Sequence, residues 1–109
     1  MFGRVAALFA LGTFFGFAAI PAAAGSPSFD CDGVRFSVEK LICQDDELSE
    51  LDIEVARAYA AALSRAPASR VGMMKSAQTA WRREMLRCER SDDQRACTMA
   101  AYESRLKQF

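Results

Sequence analysis

The sequence has no histidine, no C-x-x-C pair and no glycine-rich phosphate loop among its 109 residues. Without histidine, the usual general base for a serine or cysteine nucleophile is missing, and so is a common nitrogen ligand for zinc. The missing C-x-x-C dithiol argues against redox catalysis, and the missing loop argues against nucleotide binding. We therefore expect a protein that is not an enzyme and that uses no cofactor or metal.

The N-terminal 24 residues have the pattern of a secretory signal peptide. Arg4 precedes an apolar run over residues 5–20, and a proline and three alanines then complete the segment. A transmembrane anchor is the alternative, but the run is short for one and lacks a basic flank. We predict a signal peptide over 1–24, cleavage near Ala24 and a mature chain over 25–109.

The predicted mature chain is small and nearly neutral. Without Arg4 it holds 13 basic and 14 acidic residues, a net charge of 13 − 14 = −1. This balance gives no general attraction to nucleic acid or to an anionic membrane. The residues before Cys31 do not resemble a lipoprotein-processing site. We therefore expect a periplasmic or secreted protein without a stable membrane anchor after cleavage, and a single domain.

Four cysteines lie in this short chain, and an even count in a small exported protein indicates disulfides. They are Cys31, Cys43, Cys88 and Cys97. A zinc site is the alternative, but the spacing offers no close cysteine pair. Three connectivities are possible. The neighbour pairing, Cys31–Cys43 and Cys88–Cys97, requires the least rearrangement of the predicted helices, so we favour it.

Hydrophobic periodicity predicts an all-α domain of about four helices and no strand. The predicted helices cover about 37–42, 46–65, 69–89 and 93–107. Asp45 or Asp46 is expected to cap the second helix. The third has an apolar stripe that includes Trp81, which we expect to be core and to face the second helix. Ser91 and Gln94 have the spacing of a capping box for the last helix.

Beside the cysteines, a further set of residues occurs in a characteristic order: Glu39, Leu51, Asp52, Tyr59, Gln78, Trp81, Tyr102, Arg105 and Leu106. Together with the cysteines, this set resembles a family of small exported proteins, the lysozyme inhibitor LprI-like N-terminal domain family. It covers about residues 31–106. It implies a helical, disulfide-bearing exported domain whose partner is another exported protein, with inhibition of lysozyme as the implied activity.

Two charged surfaces are candidates for contact with such a partner. One is acidic, Asp45, Asp46, Glu47 and Glu50, and the other is basic, Arg82, Arg83 and Arg87. The acids also fit simple helix capping, and the arginines also fit pairing within their helix or with the acidic helix.

The family-pattern polar residues, among them Glu39 and Asp52, are expected to form a buried network, for example an Asp–Arg pair across helices. A cell-envelope accessory protein that binds another exported protein, without lysozyme inhibition, is the alternative function.

Overall fold

Four α-helices follow one another along the described part of the chain, which contains no strand. They are α1 (Ser37–Gln44), α2 (Asp46–Arg65), α3 (Ala68–Leu86) and α4 (Gln94–Leu106), with a 3₁₀ turn at Arg87–Arg90 between the last two. The computed structural model describes residues 26–109 and, before them, only the glycines at 3, 12 and 16. Apart from those glycines, the predicted signal peptide lies outside the described residues. In the described part, no helix combines the length and apolar character needed to cross a membrane.

The longest helix, α2, begins and ends where its sequence predicts. The side chain of Asp45 accepts a hydrogen bond from the backbone N–H of Leu48 at 3.1 Å and so caps the first turn. Leu48 and Val55 lie on the same face and are buried. The helix ends at Arg65, and Pro67 then precedes the first residue of α3.

Two disulfides join neighbouring segments of the chain. Cys31 is bonded to Cys43 at the end of α1, and Cys88 in the 3₁₀ turn is bonded to Cys97 in α4. This is the neighbour pairing that the predicted helix layout favoured. In the loop-closure account, a bridge over nine positions stabilises the fold by roughly 3 kcal/mol.

The core is centred on α4. Its contact with α2 is the most extensive contact between any two of the described helices. The fully buried residues of the core include Tyr102, Ile42 and Val38. Burial of an aliphatic side chain such as Ile42 or Val38 contributes roughly 1.5–3 kcal/mol to the stability of the fold. The sequence led us to expect α3 to pack on α2, but α3 packs more closely on α4. The ring of Tyr102 lies 5.4 Å from that of Trp81, so α4 takes the contact that α2 was expected to make.

The predicted capping box at the start of α4 is wrong. Asp93 is the N-cap, and its carboxylate accepts from the backbone N–H of Ala96 at 2.9 Å. Ser91 instead accepts from the N–H of Asp93. The amide of Gln94 is drawn away from the cap, because it donates to the hydroxyl of Ser37 and to the carbonyl oxygen of Glu89.

Candidate functional site

The acidic start of α2 is partly occupied by an arginine of the same chain. Arg95 donates from Nε to Asp45 at 2.6 Å and from Nη2 to Glu47 at 3.0 Å. The hydrogen bond from Arg95 lowers the pKa of Asp45 and, reciprocally, raises the pKa of Arg95. Asp46 and Glu50 are exposed and form no ion pair within the described residues. The candidate acidic surface is thus divided between a contact inside the molecule and two exposed carboxylates.

Asp52 and Tyr102 form a buried polar pair between α2 and α4. The tyrosine hydroxyl donates to Oδ1 of Asp52 at 2.8 Å, and the backbone N–H of Ser28 donates to Oδ2 at 2.6 Å. Burial, followed by the neighbouring carboxylate, raises the pKa of Tyr102 well above its usual range. Trp81 lies beside this pair and donates from Nε1 to the carbonyl oxygen of Ala101 at 3.2 Å. Both carboxylate oxygens of Asp52 are therefore bonded within the protein.

Arg105 and Gln78 form a second polar pair, between α4 and α3. Nε and Nη2 of the arginine donate to the same amide oxygen of Gln78 at 3.0 and 2.9 Å. The guanidinium also lies 4.7 Å from the ring centre of Phe109, and burial lowers its pKa.

The family-pattern residues thus form separate pairs. The Asp–Arg pair suggested for these residues does not form, because Asp52 pairs with a tyrosine and Arg105 with a glutamine. Glu39, the remaining polar member of the pattern, lies half-buried on α1. Asp52 and Tyr102 are buried, and the hydrogen bonds of both pairs connect helices.

The three candidate arginines of α3 and the turn that follows it do not share one surface. Arg82 is half-buried and its guanidinium lies 5.7 Å from the ring centre of Phe29. Arg83 and Arg87 instead line a surface cavity of about 380 Å³. The remaining lining residues of this arginine cavity are Phe36, Leu86, Glu89 and Arg90.

The arginine cavity combines positive charge with an exposed aromatic ring. Three guanidinium groups and one carboxylate line it, a net charge of 3 − 1 = +2. Arg83 and Arg90 make no ion pair within the described residues, and Arg87 makes only an exposed contact of 3.3 Å with Glu84. Phe36 is 46% exposed. Such a surface suits a carboxylate ligand, because a guanidinium can donate two parallel hydrogen bonds to it.

Long-range contacts fix the backbone around this cavity. The backbone N–H of Ser37 donates to Oε1 of Glu89 at 3.2 Å, which joins the start of α1 to the 3₁₀ turn. Gln94 bonds both of these residues from α4. The disulfide from Cys88 to Cys97 holds the same turn. The arginines therefore project from a backbone that is held at several points before any partner binds.

The described part of the chain offers little to a catalytic or metal-binding mechanism. It contains no group of three or more histidine, cysteine, aspartate or glutamate side chains placed to hold a metal ion. All four cysteines are bonded in disulfides. Of its carboxylates, Asp52 is buried and fully bonded, while those at the start of α2 face solvent or Arg95. The arrangement is suited to binding by charge and shape.

Sequence comparison agrees with the pattern of cysteines and polar residues. Lipoprotein LprI of Mycobacterium bovis and Lipoprotein LprI of Mycobacterium tuberculosis are each 36% identical to this chain over 84 residues. Over these 84 residues the chain is LprI-like. The match covers 75% of this chain, and it spans only 40% of the length of these relatives. No family model and no solved structure matches the chain.

The sequence did not identify all the residues that line the arginine cavity. Phe36, Glu89 and Arg90 are absent from the partner contacts predicted above. The three-residue spacing of Arg87 and Arg90 was the available signal, since residues three apart share a helical face. No local signal could have placed Phe36 beside them, because that contact joins α1 to the turn before α4.

Proposed function

We propose that this protein is an exported binding module that inhibits a lysozyme-type peptidoglycan hydrolase by occupying the substrate cleft. The likeness of the chain to the LprI lipoproteins supports this, since it agrees with the resemblance of the cysteine and polar pattern to the lysozyme inhibitor LprI-like family. The observation that carries the proposal is the arginine cavity, which Arg83, Arg87 and Arg90 line together with the exposed ring of Phe36. The module itself performs no chemistry.

The chemistry of the target explains why arginines would be effective there. Lysozyme-type enzymes cleave glycosidic bonds with a pair of carboxyl groups that flank the scissile bond. A guanidinium that enters the cleft can form charge-assisted hydrogen bonds to an ionised member of that pair. Arg83 and Arg90 are available for this role, since neither forms an ion pair within the described residues. An enzyme whose carboxylate is bound in this way cannot position its substrate.

The acidic start of α2 would have a secondary role in this proposal. Many lysozymes are basic proteins, so exposed carboxylates such as Asp46 and Glu50 would increase the rate of association. The effect would weaken as salt rises, because exposed charges are screened within about 8 Å at physiological ionic strength. Asp45 and Glu47 contribute less, since Arg95 already neutralises them.

Alanine substitutions within one helix and its following turn provide the test. The exported, oxidised protein is mixed with c-type, g-type and phage-type lysozymes, and lysis of a cell-wall suspension is followed. We expect dose-dependent inhibition of at least one class, and a loss on the order of tenfold in potency for Arg83→Ala combined with Arg90→Ala. Arg70→Ala is the matched control, since Arg70 lies on α3 but outside the arginine cavity.

Two results would count against the proposal. Inhibition that is unchanged in the Arg83→Ala/Arg90→Ala variant would place the contact elsewhere on the molecule. No inhibition of any class by folded protein would favour the alternative, an envelope accessory protein that binds another exported protein. The observation that favours this alternative is a second exposed surface, which the end of α2 and the start of α3 line and which includes Met73.

A further inference from the structure

The end of α2 and the start of α3 enclose a groove that the proposed inhibitor function does not use. Two cavities, of about 430 and 320 Å³, share Ala62, Met74 and Ala77 in their lining. We call their combined surface the hairpin groove. Its lining also includes Arg65, Arg70, Met73, Arg105 and Phe109.

The hairpin groove exposes apolar groups that a folded protein usually covers. Met73 is 67% exposed and Phe109 is 39% exposed, and these are two of the three large exposed hydrophobic residues in the described part of the chain. The small side chains of Ala62 and Ala77 allow a ligand backbone to approach both helices. Methionine adapts its shape to different apolar partners. A concave apolar surface between two helices suits an amphipathic helix laid along it.

The charge of this region indicates which kind of helix would fit. Residues 55–83 contain no aspartate or glutamate, and they hold six basic residues. Arg65 and Arg70 line the larger cavity and Arg105 lines the smaller one, and no aspartate or glutamate lines either. Arg105 is already bonded to Gln78, which leaves Arg65 and Arg70 to interact with a partner. An apolar groove lined by these two arginines favours a partner that is apolar on one face and acidic on its flanks.

We propose that the hairpin groove binds an acidic amphipathic helix of another exported protein. This goes beyond the proposed inhibitor function and does not depend on it, because the arginine cavity is a different surface. A second copy of this chain cannot supply such a helix from α2, whose acidic first half has Leu48 and Val55 buried in its own core. The concave shape favours a helix over a flat lipid surface.

A designed peptide provides the probe. It has about 18 residues, a helix about 27 Å long, with leucines on one face and glutamates on the other. Binding of the labelled peptide to the exported, oxidised protein is measured by fluorescence anisotropy at low and at physiological salt. We expect saturable, salt-sensitive binding that weakens on the order of tenfold in Arg65→Glu/Arg70→Glu. Lys75→Glu is the control for a charge reversal on α3, since Lys75 lines a separate depression.

Further variants and ligands test whether the apolar part of the hairpin groove binds the peptide. Met73→Ser should also weaken peptide binding, and because Met73 is largely exposed the variant is expected to fold, which circular dichroism would verify. Arg83→Ala should bind the peptide as the wild type does. Equal binding of poly-glutamate would show that the apolar groove is not used, and would overturn the proposal. Binding to phosphatidylglycerol vesicles without binding to the peptide would overturn it too, as would the absence of peptide binding.

Discussion

Replacing Tyr102 by phenylalanine should destabilise the protein markedly while preserving its core volume. The substitution removes one hydroxyl, which donates to the carboxylate of Asp52 at 2.8 Å. Asp52 is 3% exposed, so water cannot replace the lost donor without a rearrangement. A hydrogen bond to a buried charged group contributes about 1.5–3 kcal/mol, and the remaining donor, the N–H of Ser28, satisfies only the other oxygen. We therefore expect the free energy of unfolding to fall by about 2 kcal/mol.

Thermal unfolding followed by circular dichroism measures this effect. In a domain of this size, 1 kcal/mol corresponds to roughly 4–8 °C, so the midpoint should fall by about 8–16 °C. Tyr59→Phe is the matched control, because the hydroxyl of Tyr59 makes no hydrogen bond within the described residues although its ring lies 6.3 Å from that of Phe109. A shift below about 2 °C for Tyr102→Phe, or an equal shift for Tyr59→Phe, would refute the assigned role of the buried pair.

The same pair predicts a pH dependence with a definite sign. The pKa of Tyr102 in the folded protein is raised above its ordinary value of 10.0, first by burial and then by Asp52. The folded state therefore retains the phenolic proton after the unfolded state has lost it. The contribution to stability is fully present below about pH 10 and is lost as the pH rises above it, by up to about 1.4 kcal/mol per pH unit. Because Tyr102→Phe lacks this titration, the difference in stability between wild type and variant should shrink above pH 10.

Three further predictions concern stability. Replacing Cys88 and Cys97 together by serine should lower the free energy of unfolding by roughly 3 kcal/mol, as measured by urea denaturation of variant and wild type. The hydrogen bond from Arg95 lowers the pKa of Asp45, so this pairing stabilises the fold above the ordinary pKa of 3.8 and the stabilisation is lost as the pH falls below it. In Asp45→Asn, the free energy of unfolding should therefore depend less on pH in that range. Gly72→Ala should stabilise α3 by up to about 1 kcal/mol, since a methyl group at this position meets open space; a lower melting temperature would contradict this.

The helices that have strong local signals were predictable from the sequence. The bounds of α2 follow from the cap at Asp45, the apolar spacing after it and the proline at 67. The disulfide pairing followed from the helix order, because each bridge joins cysteines close in the chain. In both cases the determining interactions are local in the chain, and even the disulfides join residues no more than 12 positions apart.

The errors arose where a distant residue determined a local structure. Gln94 has the spacing of a capping box, but Ser37, 57 positions earlier, accepts a hydrogen bond from its amide. The apolar stripe of α3 was compatible with packing on α2 or on α4. Trp81 contacts α4, because its ring packs against the ring of Tyr102. Composition revealed a basic group of arginines, but only the folded arrangement separates Arg82 from the arginine cavity.

A competition experiment tests the proposed cleft-blocking function most directly. Binding of the exported, oxidised protein to c-type lysozyme is measured by titration calorimetry, with and without an N-acetylglucosamine oligomer that fills the substrate cleft. Cleft blocking predicts that the oligomer weakens binding in proportion to its occupancy of the cleft. Binding that is tight and unaffected by a saturating oligomer would show that the protein attaches outside the cleft, and would contradict the role assigned to Arg83 and Arg90.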